Sequence, residues 1–239
     1  MNGSNLFTSS LGKKFIMAIT GMALFLFVVL HLLGNLQVFL GPEAINRYGN
    51  LLQTNTEILW PARIILLILV GLHIWSAVKL SAENRAARPV PYAQTEIVAA
   101  SYASRTMLMS GLIILAFIIY HLLHFTVQVP GINLTGRNFV ELEDATHQRD
   151  VFAMMVIGFR NPFVSAFYII AMLLLFLHLS HGVSAMFQSL GWKSPAYGPL
   201  IARFAVVASW LIFLGYISIP IAIYLGYGQS YLAERGLLK

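Results

Sequence analysis

The chain's chemistry lies in its histidines. Of seven, four fall at matched offsets inside strongly apolar segments. Thr20-Gly21 precedes an apolar run that reaches His31, and Ser110-Gly111 precedes one that reaches His121. The step from Gly to His is the same in both, and His31-Leu32-Leu33 recurs as His121-Leu122-Leu123. A second pair follows: His73 opens H-I-W-S-A-V and His181 opens H-G-V-S-A-M, with Ser-Ala at one offset. Histidines within membrane segments are rare and mark functional sites. Two imidazoles on facing helices are what the iron of a porphyrin needs as axial ligands.

Composition narrows the setting. The chain has 239 residues, 58% hydrophobic and 10% charged, against about 25% charged for a soluble domain. A mean hydropathy of +0.76 points to a membrane protein. The absence of cysteine excludes disulfides, thiolate-held clusters and covalent c-type haem attachment. Any metal must then be held by imidazole. The first apolar run is too long for a cleavable signal peptide and leads straight into a repeated unit, so none is expected. The net charge of +6 reads as a topology signal, because the basic residues sit beside the apolar runs.

The elements that must position these histidines are five apolar segments, each long enough for the ~20 residues a bilayer crossing requires. They run over Phe15–Leu40, Ile58–Leu80, Met107–Val129, Phe163–Leu190 and Phe204–Tyr227. Alternation of period two is absent, so an all-α membrane protein with five transmembrane helices is expected, as a single domain over residues 1–239. The connections Gly41–Thr56 and Val129–Asn161 are expected to form short helices on the membrane surface. Ser81–Glu96, with Pro89 and Pro91, reads as irregular and as a docking surface. Lys13, Lys14, Lys79, Arg85, Arg88, Arg105, Lys193 and Arg203 fall on one side, opposed there only by Glu83 and Glu96. The other side carries seven basic and seven acidic residues; because Lys and Arg are densest around Lys79–Arg105, the first side is expected to be cytoplasmic, with the N-terminus inside and the C-terminus outside.

Depth sorts the histidines. At the helical rise, His31 lies roughly 24 Å along its segment and His121 roughly 21 Å along its own, both near the outer face. Segments two and four run the other way, with His73 roughly 22 Å and His181 roughly 27 Å from their starts, both near the inner face. An up-down-up-down bundle sets helices one and three, and two and four, diagonally across its core. The expectation is two haems stacked across the membrane within the first four helices. Gly34, Gly71 and Gly182 would let a flat macrocycle approach. His124 and His178 each lie three residues from a favoured ligand on nearly the same face, and stand as alternative ligands. An isolated histidine in a membrane helix is as easily an interior hydrogen-bonding residue; the four repeated offsets weigh against that. His147 reads as a solvated surface residue.

The stretches S-L-G-K-K ahead of Thr20-Gly21 and His31, then G-N-L-Q-V-F-L-G-P-E-A-I-N-R-Y, Gly111 to His121, and H-G-V-S-A-M-F-Q-S-L-G-W cover nearly the whole chain. They resemble the cytochrome b (b558-type) anchor of succinate:quinone oxidoreductases and quinol:fumarate reductases, in its single-polypeptide, five-helix, di-haem form. The resemblance implies two haem b, the proximal held by His73 and His181 and the distal by His31 and His121. It implies an anchor subunit of an enzyme complex that passes electrons between an iron–sulfur subunit and membrane quinone, expected to be menaquinone. This chain itself would not bind succinate. FAD and iron–sulfur clusters would reside in flavoprotein and iron–sulfur partner subunits on the cytoplasmic side. The setting would be a bacterial cytoplasmic membrane, with a higher oligomer of the complex allowed.

Gln37, Glu43, Arg47, Tyr48 and Glu57 lie just beyond the distal level and are the quinone candidates. Lys13, Arg63, Lys79 and Arg105 are candidates for the haem propionates. One departure matters. Some fumarate-reducing relatives carry a glutamate two residues before the helix-four ligand, where this chain has Leu179, or Phe176 if His178 is the ligand. No carboxylate lies between Phe163 and Leu190, so electron transfer across the membrane is expected to be electrogenic. Two other readings stay open: a haem b anchor of another dehydrogenase or a hydrogenase, which should lack G-N-L-Q and H-G-V-S-A-M-F-Q, and a proton-coupled transporter, which should show broken helices or acids at midplane.

Overall fold

A computed structural model describes residues 4–87 and 105–238, with side chains from residue 6. The chain is helical, with no strand among the described residues beyond one isolated bridge between Glu143 and Arg149. In chain order the helices are α1 (Ser4–Thr8), α2 (Ser10–Leu36), α3 (Pro42–Thr54), α4 (Thr56–Ala86), α5 (Met107–His121), α6 (Val151–Arg160), α7 (Pro162–Ser189), α8 (Gly198–Tyr224) and α9 (Gln229–Glu234). Five spans are long and apolar enough to cross a membrane: α2 with the following turn to Leu40, α4, α5 with its extension to Thr126, α7 and α8. This is the pattern of a multi-pass membrane protein. Large apolar side chains such as Leu26, Leu67 and Leu211 stay exposed on these helices, as lipid-facing residues do, since lipid is as apolar as leucine.

Local chemistry fixes the helix ends. Gly41, at φ 101°, takes a backbone that side chains disfavour and lets Pro42 open α3. Asn161 accepts from the amides of Phe163 (3.0 Å) and Val164 (3.3 Å), capping α7 behind Pro162. The third span ends differently. After His121 the turn widens, and the amide of Val127 donates to the carbonyl of Leu122 at 2.7 Å, five residues back. Such π-type turns shift the register of the side chains that follow and concentrate at functional sites.

Two expectations need correction. Ser81–Ala86 is not irregular but the last turns of α4. Its residues Ala82, Glu83 and Ala86 are ordinary helix formers, and nothing before the prolines breaks the run. Arg88, Pro89, Pro91 and Glu96 lie outside the described residues. The second connection was expected on the membrane surface, yet in α6 every residue from Phe152 to Phe159 is buried. Its sequence V-F-A-M-M-V-I-G-F is apolar on every face, and a helix of that kind belongs in a core. By contrast α3 keeps a surface pattern, with Ile45 and Asn46 buried and Glu43, Arg47, Leu51 and Leu52 exposed.

The chain divides into two compact units. One comprises Met1–Val28, Ala62–Leu112 and Phe176–Trp210; the other comprises Val29–Pro61, Ile113–Leu175 and Leu211–Lys239. In the second unit a buried polar knot ties three helices together. Asp150 is 1% exposed and accepts from the Ala153 amide (2.9 Å), from Asn46 Nδ2 (3.2 Å) and from the Tyr231 hydroxyl (2.8 Å). Asn46 returns its carbonyl oxygen to the amide of Phe152 at 2.9 Å. One carboxylate thus caps α6 and satisfies donors from α3 and α9, as burial of a charge demands.

Candidate functional site: two facing histidine pairs

In the first unit, His73 on α4 faces His178 on α7, with ring centres 6.4 Å apart. Thr20 of α2 sits beside His73, its Oγ1 3.2 Å from Nδ1. The Thr20 hydroxyl has one proton, and it is given to the carbonyl of Ile16 at 2.7 Å. Toward His73 it therefore accepts, and the ring must carry its proton on Nδ1. The other side repeats the arrangement. Ser110 Oγ of α5 donates to the Met107 carbonyl (3.1 Å) and lies 3.4 Å from Nδ1 of His178. With each hydroxyl proton on its helix carbonyl, both rings carry Nδ1–H and keep Nε2 as a lone-pair donor.

The glycines after these hydroxyls set the spacing. A Cβ at Gly21 would lie 3.2 Å from Cε1 of His73, and one at Gly111 would lie 3.5 Å from Cε1 of His178. The repeated hydroxyl–Gly dipeptide thus seats a histidine on a neighbouring helix. It equates His73 with His178, whereas the Ser-Ala offset equates His73 with His181. His181 is half-buried and makes no ring contact with His73 among the described residues.

In the second unit, His31 on α2 faces His121 at the end of α5, with ring centres 5.8 Å apart. Nδ1 of His121 lies 3.3 Å from the hydroxyl of Tyr168 on α7. Tyr216 of α8 flanks His31 at 6.3 Å, and Phe117 stacks on His121 at 5.8 Å. His124 points elsewhere. It is 1% exposed, Phe125 stacks on it at 3.9 Å, and its Nδ1 shares the Tyr168 hydroxyl at 3.0 Å. Its Nε2 has no hydrogen-bond partner.

Both pairs fit an iron porphyrin. An iron held by two imidazole nitrogens at ~2 Å each sets the ring centres roughly 6 Å apart, since each nitrogen lies about 1 Å from its ring centre. The four facing rings are only half-buried within an apolar bundle, while His124 is enclosed. A single metal ion held by three or more His, Asp or Glu side chains finds no such group among the described residues.

The other candidates divide. Lys13 is 4% exposed and forms an ion pair with Glu83. Arg63 is half-buried on α4, while Lys79 and Arg105 are exposed. Glu43, Arg47 and Glu57 are exposed, and Gln37 is half-buried in the turn that follows α2. Tyr48 alone is brought to the histidine helix: a Cβ at Gly34 would lie 2.7 Å from its hydroxyl. Gly34 therefore admits a tyrosine. Gly71 faces no neighbour within 4 Å, and Gly182 has only the end of Met107 at 3.7 Å. His147 is exposed and touches Glu143 at 3.4 Å.

Sequence reasoning missed Tyr168 and Tyr216, which carry no local signal. It used Thr20 and Ser110 only as markers of the repeat, although their chemistry was the signal. Comparison with protein-family models, with curated proteins and with solved structures finds no match to this chain.

Proposed function

We propose that this chain is the di-haem b membrane anchor of a succinate:quinone oxidoreductase or quinol:fumarate reductase, carrying electrons between an iron–sulfur subunit and a membrane quinone. One observation carries the reading: two facing histidine pairs at 5.8 and 6.4 Å, within helices apolar enough to cross a membrane. The ligands are His31 with His121 and His73 with His178, and His181 is the alternative to His178. Haem, when bound, supplies one-electron oxidation and reduction with little movement of the protein.

The chain's own residues do the rest. Thr20 and Ser110 hold the Nδ1 protons of His73 and His178, which fixes each ring and aims Nε2 at the iron. Such partners raise the basicity of a ligating imidazole. The apolar helices keep water from the pairs and so keep the reorganisation around a passing electron small. At the quinone, two electrons must be matched by two protons. Tyr48, whose hydroxyl lies against Gly34, three residues after His31, is the hydroxyl of the candidate set, with Gln37, Glu43, Arg47 and Glu57 in the adjoining turn and helices. Lys13, which pairs with Glu83, and Arg63, Lys79 and Arg105 are the candidates for the propionates. The preferred orientation keeps the N-terminus and the partner subunits on the cytoplasmic side, and menaquinone is the expected quinone.

The test is co-purification. Tagged on this chain, the complex should bring down a flavoprotein and an iron–sulfur protein, and succinate should reduce its b-type haem and an added quinone. A complex whose haem is reduced by hydrogen or by another donor but not by succinate, and not oxidised by fumarate, points instead to another dehydrogenase or a hydrogenase.

A further inference from the structure

Tyr168 lies between two histidines, and a ligand role for His121 fixes the sense of one of its two hydrogen bonds. The hydroxyl is 3.3 Å from Nδ1 of His121 and 3.0 Å from Nδ1 of His124. It has one proton to donate and lone pairs to accept with. If both contacts are hydrogen bonds, either one imidazole donates to the oxygen and the other accepts its proton, or both imidazoles donate to its lone pairs. The mixed arrangement has two directions. In the first, His121 Nδ1–H donates to Tyr168 and Tyr168 donates to His124. In the second the chain is reversed, and the His121 proton sits on Nε2.

Only the reversed chain denies Nε2 of His121 to an iron, so with His121 as ligand Tyr168 accepts from its Nδ1–H. In the first direction the Tyr168 proton has a partner in His124, which then carries its own proton on Nε2, the buried atom without a partner. A buried, unpartnered donor costs about 1–3 kcal/mol, so something else must hold the ring. The stacking of Phe125 and of Phe139 (5.6 Å) on His124 does so. Gly158 keeps the ring's far side clear, since a Cβ there would come within 3.3 Å of Nε2.

The geometry points to Tyr168 as the residue that sets the reduction potential of the His31–His121 haem, with His124 as the second histidine on the Tyr168 hydroxyl. This rests on the proposed haem ligation. A hydrogen bond taken from Nδ1–H makes an imidazole a stronger electron donor, which favours ferric iron and lowers the potential. Tyr168 does not touch the reacting atoms; it is a positioning residue. The His73–His178 pair uses Thr20 and Ser110 for the same purpose, and their protons are committed to helix carbonyls. At His121 the accepting hydroxyl also meets a further side chain, His124, at 3.0 Å.

The experiment is a redox titration of the intact complex, monitored by haem absorbance and by the ferric electron-paramagnetic-resonance signal. The haem in question is identified as the one lost in His31→Ala. In Tyr168→Phe its midpoint should rise, by at least a threefold change in the reduction equilibrium, where tenfold is about 59 mV for one electron. The other haem should not move. In His124→Phe both haems should be retained, and the same midpoint should shift by less than in Tyr168→Phe. If Tyr168→Phe does not retain the haem, the shift in His124→Phe decides. An unmoved midpoint in a variant that retains both haems overturns the proposal, and so does loss of the haem in His124→Phe, which would make His124 the ligand. Absence of haem from the unsubstituted complex would instead overturn the function on which the inference rests.

Discussion

Replacing Thr20 by valine removes one hydroxyl and almost no volume. Thr20 is 4% exposed, and its Oγ1 stands 3.2 Å from Nδ1 of His73. Valine cannot take that proton. The ring then loses the hydroxyl that orients it. Loss of a partner behind a metal-binding histidine typically weakens binding 10- to 100-fold. That is about 1.4–2.7 kcal/mol. The effect should fall on the His73 haem alone, because the hydrogen bonds of Thr20 go to His73, Ile16 and Met17. The assay is haem transfer from the purified complex to a soluble haem scavenger, with the two haems followed separately through their potentials. The Thr20→Val complex should release one haem faster and keep the other, and Thr20→Ser should restore the parent behaviour. Equal release of both haems, or no change in either, would refute the role of this hydroxyl.

Further outcomes follow from the same geometry. His178→Ala should reduce the haem content by one per chain while His181→Ala leaves it intact, as read by pyridine haemochromogen; the reverse result would assign the ligand to His181. Asp150→Ala leaves donors of Asn46, Ala153 and Tyr231 without an acceptor, and should cost on the order of 3–5 kcal/mol, seen as a lower unfolding midpoint in detergent, while Asp150→Asn should cost less. Burial, and then the bond to Asp150, push the Tyr231 phenol above its ordinary value, so its contribution is complete below about pH 10 and falls as pH rises past it. Tyr231→Phe should remove that alkaline loss of stability. With no carboxylate between Phe163 and Leu190, turnover in liposomes should generate a membrane potential, and strictly electroneutral turnover would contradict the expectation.

The five spans were legible because a bilayer demands long apolar helices and leaves few alternatives. The facing of His31 with His121 was legible from the repeat. The pairing on α4 and α7 was not, since Ser-Ala offsets and hydroxyl–Gly dipeptides give different registers, and only folded contacts show that Ser110 and Gly111 meet His178. The burial of α6 was obscured by its acidic flanks: the run from Glu141 to Asp150 looks like solvated loop, yet Asp150 is a buried cap. Tyr168 was beyond reach, because nothing near it in sequence reveals that two histidines of another helix converge on its hydroxyl.

The most direct measurement is the dithionite-reduced minus oxidised spectrum of the purified complex, with haem quantified per copy of this chain. The proposal predicts a b-type spectrum with two haems per chain, one of them removed by His31→Ala and the other by His73→Ala. A spectrum without b-type haem, or a single haem removed by both substitutions, would contradict it.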